Sequence, residues 1–466
     1  MRILFWFRHD LRIQDNTGLH AACAAGEVVP CVVLDDAFLK DNPAVGPNRC
    51  ALFLRAVCSL AEGLEKLGAR LIIRHGKPEV EIVKLLKEAK AGSVYVNRDY
   101  EEYAVKRDAA VNAAVRHAGG EFVSFKDLVV FESAEILTQA GNPYTMYTQY
   151  KNNWLKQEGF PSVIPALRKI PFPAKALQPL KSTPYDFDAV NPESDVPVVT
   201  EQSGRARLRE FLARDVFDYS PNRDIPALDA TSKLSAHLKF GTISPRTVLH
   251  AARELRQTLR TAASIKSIQT FISEIVWRDF FFHIITAFPQ VTHGSFRPQY
   301  EKLKWEYSSE RLQAWQEGRT GYPIVDAGMR QLKAIGWMHN RVRMITASFL
   351  CKDLLLNWRE GERHFTRLLI DGEPAVNNGN WQWVAGTGTD AQPRFRIFNP
   401  TEQGKRWDPK GEYVRRWVPE LQNVPDDLIH VPWVVQLLCP DYPPPIVDHA
   451  AQRLKALAMF KAVSGV

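Results

Sequence analysis

The chain has 466 residues, 45% hydrophobic and 24% charged, a composition that fits a globular protein with a buried core and excludes a disordered or fibrous one. No apolar run reaches the ~20 residues of a membrane-spanning helix. The opening Met1-Arg2-Ile3-Leu4-Phe5-Trp6-Phe7-Arg8 meets charge too early for a secretory signal, so a soluble, cytoplasmic protein is expected. Sixty Lys and Arg against 52 Asp and Glu leave a net charge of +8, which permits a polyanionic partner without requiring one. The six cysteines show no CxxC or zinc-ligand spacing and read as reduced thiols, with no metal centre indicated. Tryptophan is over-used, 12 against six Met, so the positions of the indoles carry information.

In chain order, the first part alternates short β-branched runs with helical patterns. Strands are predicted over 2–7, 27–34, 69–74, 93–97 and 121–131, and helices are clearest over 78–89 and 101–118. This alternation predicts an α/β domain over 1–131 with a Rossmann-like parallel sheet. Ligands on such sheets sit beyond the C-terminal ends of the strands. Neither GxGxxG nor GxxxxGK[ST] is present, so the usual dinucleotide and triphosphate sites are not indicated. Prolines recur between 161 and 197 and predict a long extended linker, placed at 132–200, that wraps over a surface. Beyond 200 the apolar period becomes 3.6, with helices expected over 205–213, 244–256, 265–287, 324–336, 341–355 and 362–370. Residues 201–466 are therefore expected to form an all-helical domain.

Four segments of that domain set polar and aromatic residues in apolar context. Tyr219-Ser-Pro-Asn-Arg-Asp-Ile-Pro226 with Thr231-Ser-Lys-Leu-Ser235 offers hydroxyls at a helix start, suited to a diphosphate or simply to capping. Glu274, Trp277 and Arg278 share a helical face, as a functional cluster or as an intrahelical ion pair beside a packed indole. Trp337-Met-His-Asn340-Arg341-Val-Arg343-Met344 could bind phosphate and stack on a base, or open a solvated helix. The densest stretch runs from Asp371-Gly-Glu373 through Asn377-Asn378-Gly-Asn380-Trp381-Gln-Trp383 to Asn399-Pro400. Its asparagines need hydrogen-bond partners that a planar heterocycle can supply. On a shared helix, Asn377 and Trp381 would meet one ligand.

These residues, with Phe5-Trp-Phe-Arg-His-Asp-Leu-Arg12, Trp277-Arg-Asp-Phe280 and Ala314-Trp-Gln-Glu-Gly-Arg-Thr-Gly-Tyr-Pro-Ile-Val-Asp326, resemble the bacterial class I cyclobutane pyrimidine dimer photolyases of the photolyase/cryptochrome family, essentially end to end. The resemblance implies an antenna-binding α/β domain and a helical domain holding FAD. It further implies that the reduced flavin, under blue light, passes an electron to a pyrimidine dimer flipped out of UV-damaged DNA. By resemblance Tyr219, Thr231, Ser232, Lys233, Leu234 and Ser235 hold the diphosphate and ribityl region of FAD. Phe271, Glu274, Arg278, Trp337, Asn340, Arg343, Asp371 and Glu373 complete the cofactor site, and Asn377 faces flavin N5. Glu274 and Asn340 hydrogen-bond the dimer, Trp277 and Trp383 wall it, and Met344 lies beneath. Arg341 meets a flanking phosphate, and Arg278 also serves the DNA. Trp381, Trp358 and Trp305 match the electron-transfer triad.

The chain departs from the family at Asp371-Gly-Glu373, where Asp-Gly-Asp is usual, at Pro374, and at Asn380 in place of Gly. Asp99 and Lys239 resemble the pair that holds a deazaflavin antenna, which implies 8-hydroxy-5-deazaflavin, with methenyltetrahydrofolate or FMN as alternatives. Relatives that use a folate keep a His in the loop that here runs 42–47. Asn377 favours repair over cryptochrome signalling, and Met338-His339-Asn340 resembles the form that repairs dimers rather than (6-4) photoproducts. A monomer is expected, acting on DNA and nucleoid-associated in a bacterium.

Overall fold

The computed structural model describes residues 1–39, 45–174, 177, 180–183, 185–187, 190–390 and 396–464. Five strands, β1 (Arg2–Phe7), β2 (Glu27–Leu34), β3 (Ile72–His75), β4 (Ser93–Asn97) and β5 (Glu121–Phe125), form one parallel sheet in the order β3-β2-β1-β4-β5. Both faces of the central strands are covered, which is why β1 and β2 read as continuous apolar runs. Ile3, Phe5 and Phe7 enter one core, and Leu4 and Trp6 enter the other. The chain moves outward from β1 to β3, then returns to the far side of β1 for β4 and β5. The order therefore switches between β1 and β4, whose ends release Arg8-His9-Asp10 and Arg98-Asp99-Tyr100-Glu101 side by side. Such a switch point opens a crevice at the strand ends.

Two strands are shorter than their apolar runs. At the start of the 69–74 run, the Ala69 N–H still bonds Leu64 O at a helix end, so β3 begins at Ile72. After Phe125 the carboxylate of Asp127 is buried against Arg12, Arg246 and Thr17. Residues 128–131 then leave the sheet and pack with Ile272 and Phe280 of the helical half. The stretch expected as linker contains a helix, Tyr147–Lys156, not expected from the sequence, which buries Tyr147, Tyr150 and Trp154. From 157 to 200 the described residues hold no further helix or strand. They run along the α/β domain, where Pro171 O accepts from Val28 and Ile73 O accepts from Thr183, and then cross to Ala334 O through the Asp195 N–H.

The Ala262–Ala287 helix is apolar around most of its circumference and is the axis of the helical half, packing against the Pro374–Ala385 and Tyr147–Lys156 helices. The helix expected over 341–355 is two elements, an Asn340–Ser348 helix and a π-turn at Phe349–Asp353 closed by Leu354 N–H on Phe349 O. The turn buries Lys352, whose Nζ donates to Ala385 O at 2.8 Å. Among the described residues no helix is long and apolar enough to cross a membrane.

Candidate active site and second cavity

A cavity of about 450 Å³ opens in the helical half. Four separated segments line it: Tyr219 with Thr231, Ser232, Lys233, Leu234 and Ser235; Phe271, Glu274, Trp277 and Arg278; Trp337, Asn340, Arg341, Arg343 and Met344; and Asp371, Glu373 and Trp383. The Thr231–Ser235 arc precedes a short helix, Ser235–Phe240. Its backbone is steered by Arg207, which donates to Thr231 O and Ser232 O and so leaves the Ser235 side facing outward. Lys233 takes φ +50° here and its ammonium lies 5.8 Å from the Trp337 ring. Trp277 is held by a face-to-face stack on Tyr147, 3.4 Å between centroids at 7°.

The charges of the wall are organised in pairs. Arg343 forks onto both oxygens of Asp371 at 3.1 and 2.8 Å, a bidentate geometry that fixes both groups. Arg223 donates to Glu274 at 2.5 Å, and Arg341 pairs with Asp224 at 2.8 Å while lying over Trp407. Arg223 and Asp224 also line the cavity but were not expected among its functional residues. Their signal is spatial, since Arg223 and Glu274 are 51 positions apart.

The geometry bears on three expectations. Asn377 and Trp381 do share a helix and a face, but that face turns to the Trp358–Leu368 helix. Asn377 donates to Glu362 O and Thr366 Oγ1, leaving Oδ1 without a hydrogen bond among the described residues, while Trp381 packs on Phe365. A Cβ at Gly361 would collide with the Trp381 ring. On its cavity side the helix offers Val376, Asn380 and Trp383. Arg278 lines the wall but is buried, with Nη1 on Leu128 O at 2.6 Å, and is not offered to a DNA phosphate. Trp305, Trp358 and Trp381 lie outside the cavity, with Trp358 and Trp381 in one buried core and Trp305 partly exposed at its edge.

A second cavity, about 100 Å³, sits at the switch point of the sheet and reaches the helical half. Trp6, Phe38, Phe53 and Tyr103 give it aromatic walls, and Arg8, Arg49, Arg107, Glu101 and Lys239 give it charge. Asp99 turns away from it, to His9 Nδ1 at 3.2 Å and Arg107 at 3.7 Å, which hold its carboxyl far below the usual range despite burial. Glu101 stands beside Lys239, at 2.5 Å. His9, Asp99 and Glu101 converge within 4.8 Å, with Arg107 and Lys239 closing on the two acids. Residues 42–44 of the 42–47 loop lie outside the described residues.

Two family models match the chain, one described as DNA photolyase over residues 3–171 and one as the FAD binding domain of DNA photolyase over residues 271–462. The deoxyribodipyrimidine photo-lyase of Halobacterium salinarum is 40% identical, covering 99% of each chain. The chain belongs to the DNA photolyase family. The deoxyribodipyrimidine photo-lyase of Escherichia coli is 39% identical over 98% of each chain. Among solved structures, a bacterial class III photolyase from Agrobacterium tumefaciens superposes with a TM-score of 0.91 at 35% identity, over 100% of this chain and 98% of the other. An archaeal photolyase from Sulfolobus tokodaii with two FAD molecules superposes at 0.86 and 32% identity, over 99% and 100%. Membership accounts for the parallel sheet followed by a helical half, and for a large cavity in the latter.

Proposed function

We propose that this protein is a light-driven DNA repair lyase that splits cyclobutane pyrimidine dimers, with FAD in the larger cavity. The observation that carries the reading is the convergence of four distant segments on one cavity whose lining combines hydroxyls, an arginine–carboxylate fork and indole rings. Its volume lies within the roughly 300–1,000 Å³ of small-molecule sites. Both oxygens of Glu373 and Nη2 of Arg278 are buried without hydrogen-bond partners, so the wall holds polar groups that a multifunctional heterocycle can satisfy. Bound and reduced, FAD supplies the light-driven electron that opens the cyclobutane ring and then takes it back. The Thr231–Ser235 arc receives the diphosphate, and Arg343 with Asp371 fixes the ring system in orientation. Trp277, backed by Tyr147, and Trp383 exclude water and stack on the flipped-out bases. Glu274, anchored by Arg223, and Asn340 hydrogen-bond the dimer, and Arg341 exchanges Asp224 for a flanking phosphate. In this reading 1–131 is the antenna-binding domain, 132–200 the connection and 201–466 the catalytic domain.

The second cavity takes a planar antenna chromophore. Aromatic walls with Arg8, Arg49, Arg107 and Lys239 suit a planar anion such as 8-hydroxy-5-deazaflavin with its ionised hydroxyl, with methenyltetrahydrofolate and FMN as alternatives. The two FAD molecules in the archaeal relative support a second chromophore in this family.

Glu274→Ala tests the larger site. Losing a charged hydrogen bond worth about 1.5–3 kcal/mol lowers repair at limiting substrate by roughly tenfold or more while FAD content stays at the wild-type level. Loss of the flavin would make Glu274 a structural residue and remove this role.

A further inference from the structure

Lys239 stands in the wall between the two cavities and lines both. Its Nζ donates to Glu101 Oε1 at 2.5 Å on the side of the second cavity and lies 3.3 Å from Glu373 Oε2 on the side of the larger one. Lys239 is 4% exposed and Glu373 5%, so solvent screens neither. One ammonium thus serves a buried carboxylate and a mostly buried one that sit in different sites, and it cannot fully compensate both. The extra methylene of Glu373, where the family usually has Asp, lengthens its reach toward Lys239.

The other charges facing Glu373 come from every neighbouring element. Arg278 approaches from the Ala262–Ala287 helix, Arg49 from the Pro47–Lys66 helix and His9 from the end of β1. Arg278 gives Nη1 to Leu128 O, Arg49 gives Nη1 to Gly372 O, and His9 pairs with Asp99. Burial pushes the Glu373 carboxyl up to about 7 against the pull of Lys239, with Glu101 adding to the rise. Burial acts on Glu101 too, but Lys239 holds that carboxyl below its ordinary value.

We propose that Glu101, Lys239 and Glu373 form a charge bridge that couples the two cavities, so that Glu373 holds a proton at the flavin site to an extent set by the charge in the second cavity. An anionic planar chromophore that draws Lys239 to itself makes Glu373 take one proton from solvent; an O–H bond forms and Lys239 remains an ammonium. The coupling is reciprocal, so protonation of Glu373 strengthens binding of the anion next door. The inference rests on the larger cavity being the flavin site.

The test is an infrared titration of the full chain loaded with FAD. The carbonyl band of a protonated buried carboxyl should bleach near neutral pH and be absent in Glu373→Gln. In Glu101→Gln its midpoint should fall by about one pH unit, a tenfold loss of proton affinity, because Lys239 then serves Glu373 alone. In Lys239→Met the midpoint should rise. Adding 8-hydroxy-5-deazaflavin, with its load read from its own absorbance, should raise the wild-type midpoint. An unchanged midpoint in Glu101→Gln, or no band assignable to Glu373 from about pH 5 to 9, overturns the bridge. A deazaflavin that does not bind removes the reading of the second cavity and leaves the Glu101→Gln comparison decisive. FAD content and repair in light, measured on the same samples, separate failure of the bridge from failure of the flavin reading.

Discussion

An indole inside a protein is usually packing, and Trp315 shows that use here, fully buried with Nε1–H on Thr346 O at 3.0 Å. Trp358 has a different neighbour, the guanidinium of Arg359, 4.6 Å from its ring centre. A cation over the ring penalises positive charge left there after an electron departs. Trp305, partly exposed and edge-on to Phe460 at 6.2 Å, carries such a charge at lower cost. If Trp381, Trp358 and Trp305 relay charge as the resemblance implies, a positive charge passed outward settles at Trp305. Trp305→Phe should abolish photoreduction of the oxidised flavin and leave repair by chemically pre-reduced protein unchanged. Survival of both would end the relay assignment. Composition flagged the indoles, and the resemblance to relatives picked out these three. Trp358 and Arg359 are sequence neighbours, but the partners of Trp305, Glu274 and Lys239 lie far away in the chain and have no local signature.

His339 caps the Asn340–Ser348 helix, its Nδ1 accepting from the Arg341 N–H at 3.2 Å, while Nε2 is buried without a partner. Burial drives this imidazole down to about 4 from an ordinary 6.5. Between those values the unfolded chain binds a proton that the folded one refuses, so stability falls as pH drops from 6.5 toward 4. The loss is on the order of 3 kcal/mol at roughly 1.4 kcal/mol per pH unit. His339→Asn keeps a capping side chain and should flatten that part of the pH dependence of Tm relative to wild type; parallel profiles would contradict the assignment. At this scale the sequence was mostly legible, because five strands and the long helices carry clean periods. It failed where tertiary partners overrode period: at Asp127, which ends β5 early, and at Lys352, whose burial accompanies a π-turn in an otherwise regular helix. The helix at Tyr147–Lys156 lay hidden beside the prolines, although Tyr147, Tyr150 and Trp154 mark its buried face.

Across the whole molecule, the chain places a small crevice of about 100 Å³ at the switch point of its sheet and a larger cavity in the helical half, with Lys239 in the wall between them. The α/β domain was legible, but the crevice was not, because it is built from the ends of two strands whose adjacency only the sheet order decides. The segments that line the larger cavity were legible in the sequence, because the polar and aromatic clusters around 219–235, 271–278, 337–344 and 371–383 all stand in its wall. The account stands on one reaction. Purified protein with verified reduced FAD, given an oligonucleotide carrying a thymine dimer, should restore the undamaged bases under blue light and leave them untouched in matched darkness. No restoration in light, with the flavin reduced and the DNA bound, would contradict the repair activity and move the chain to another lesion or to signalling.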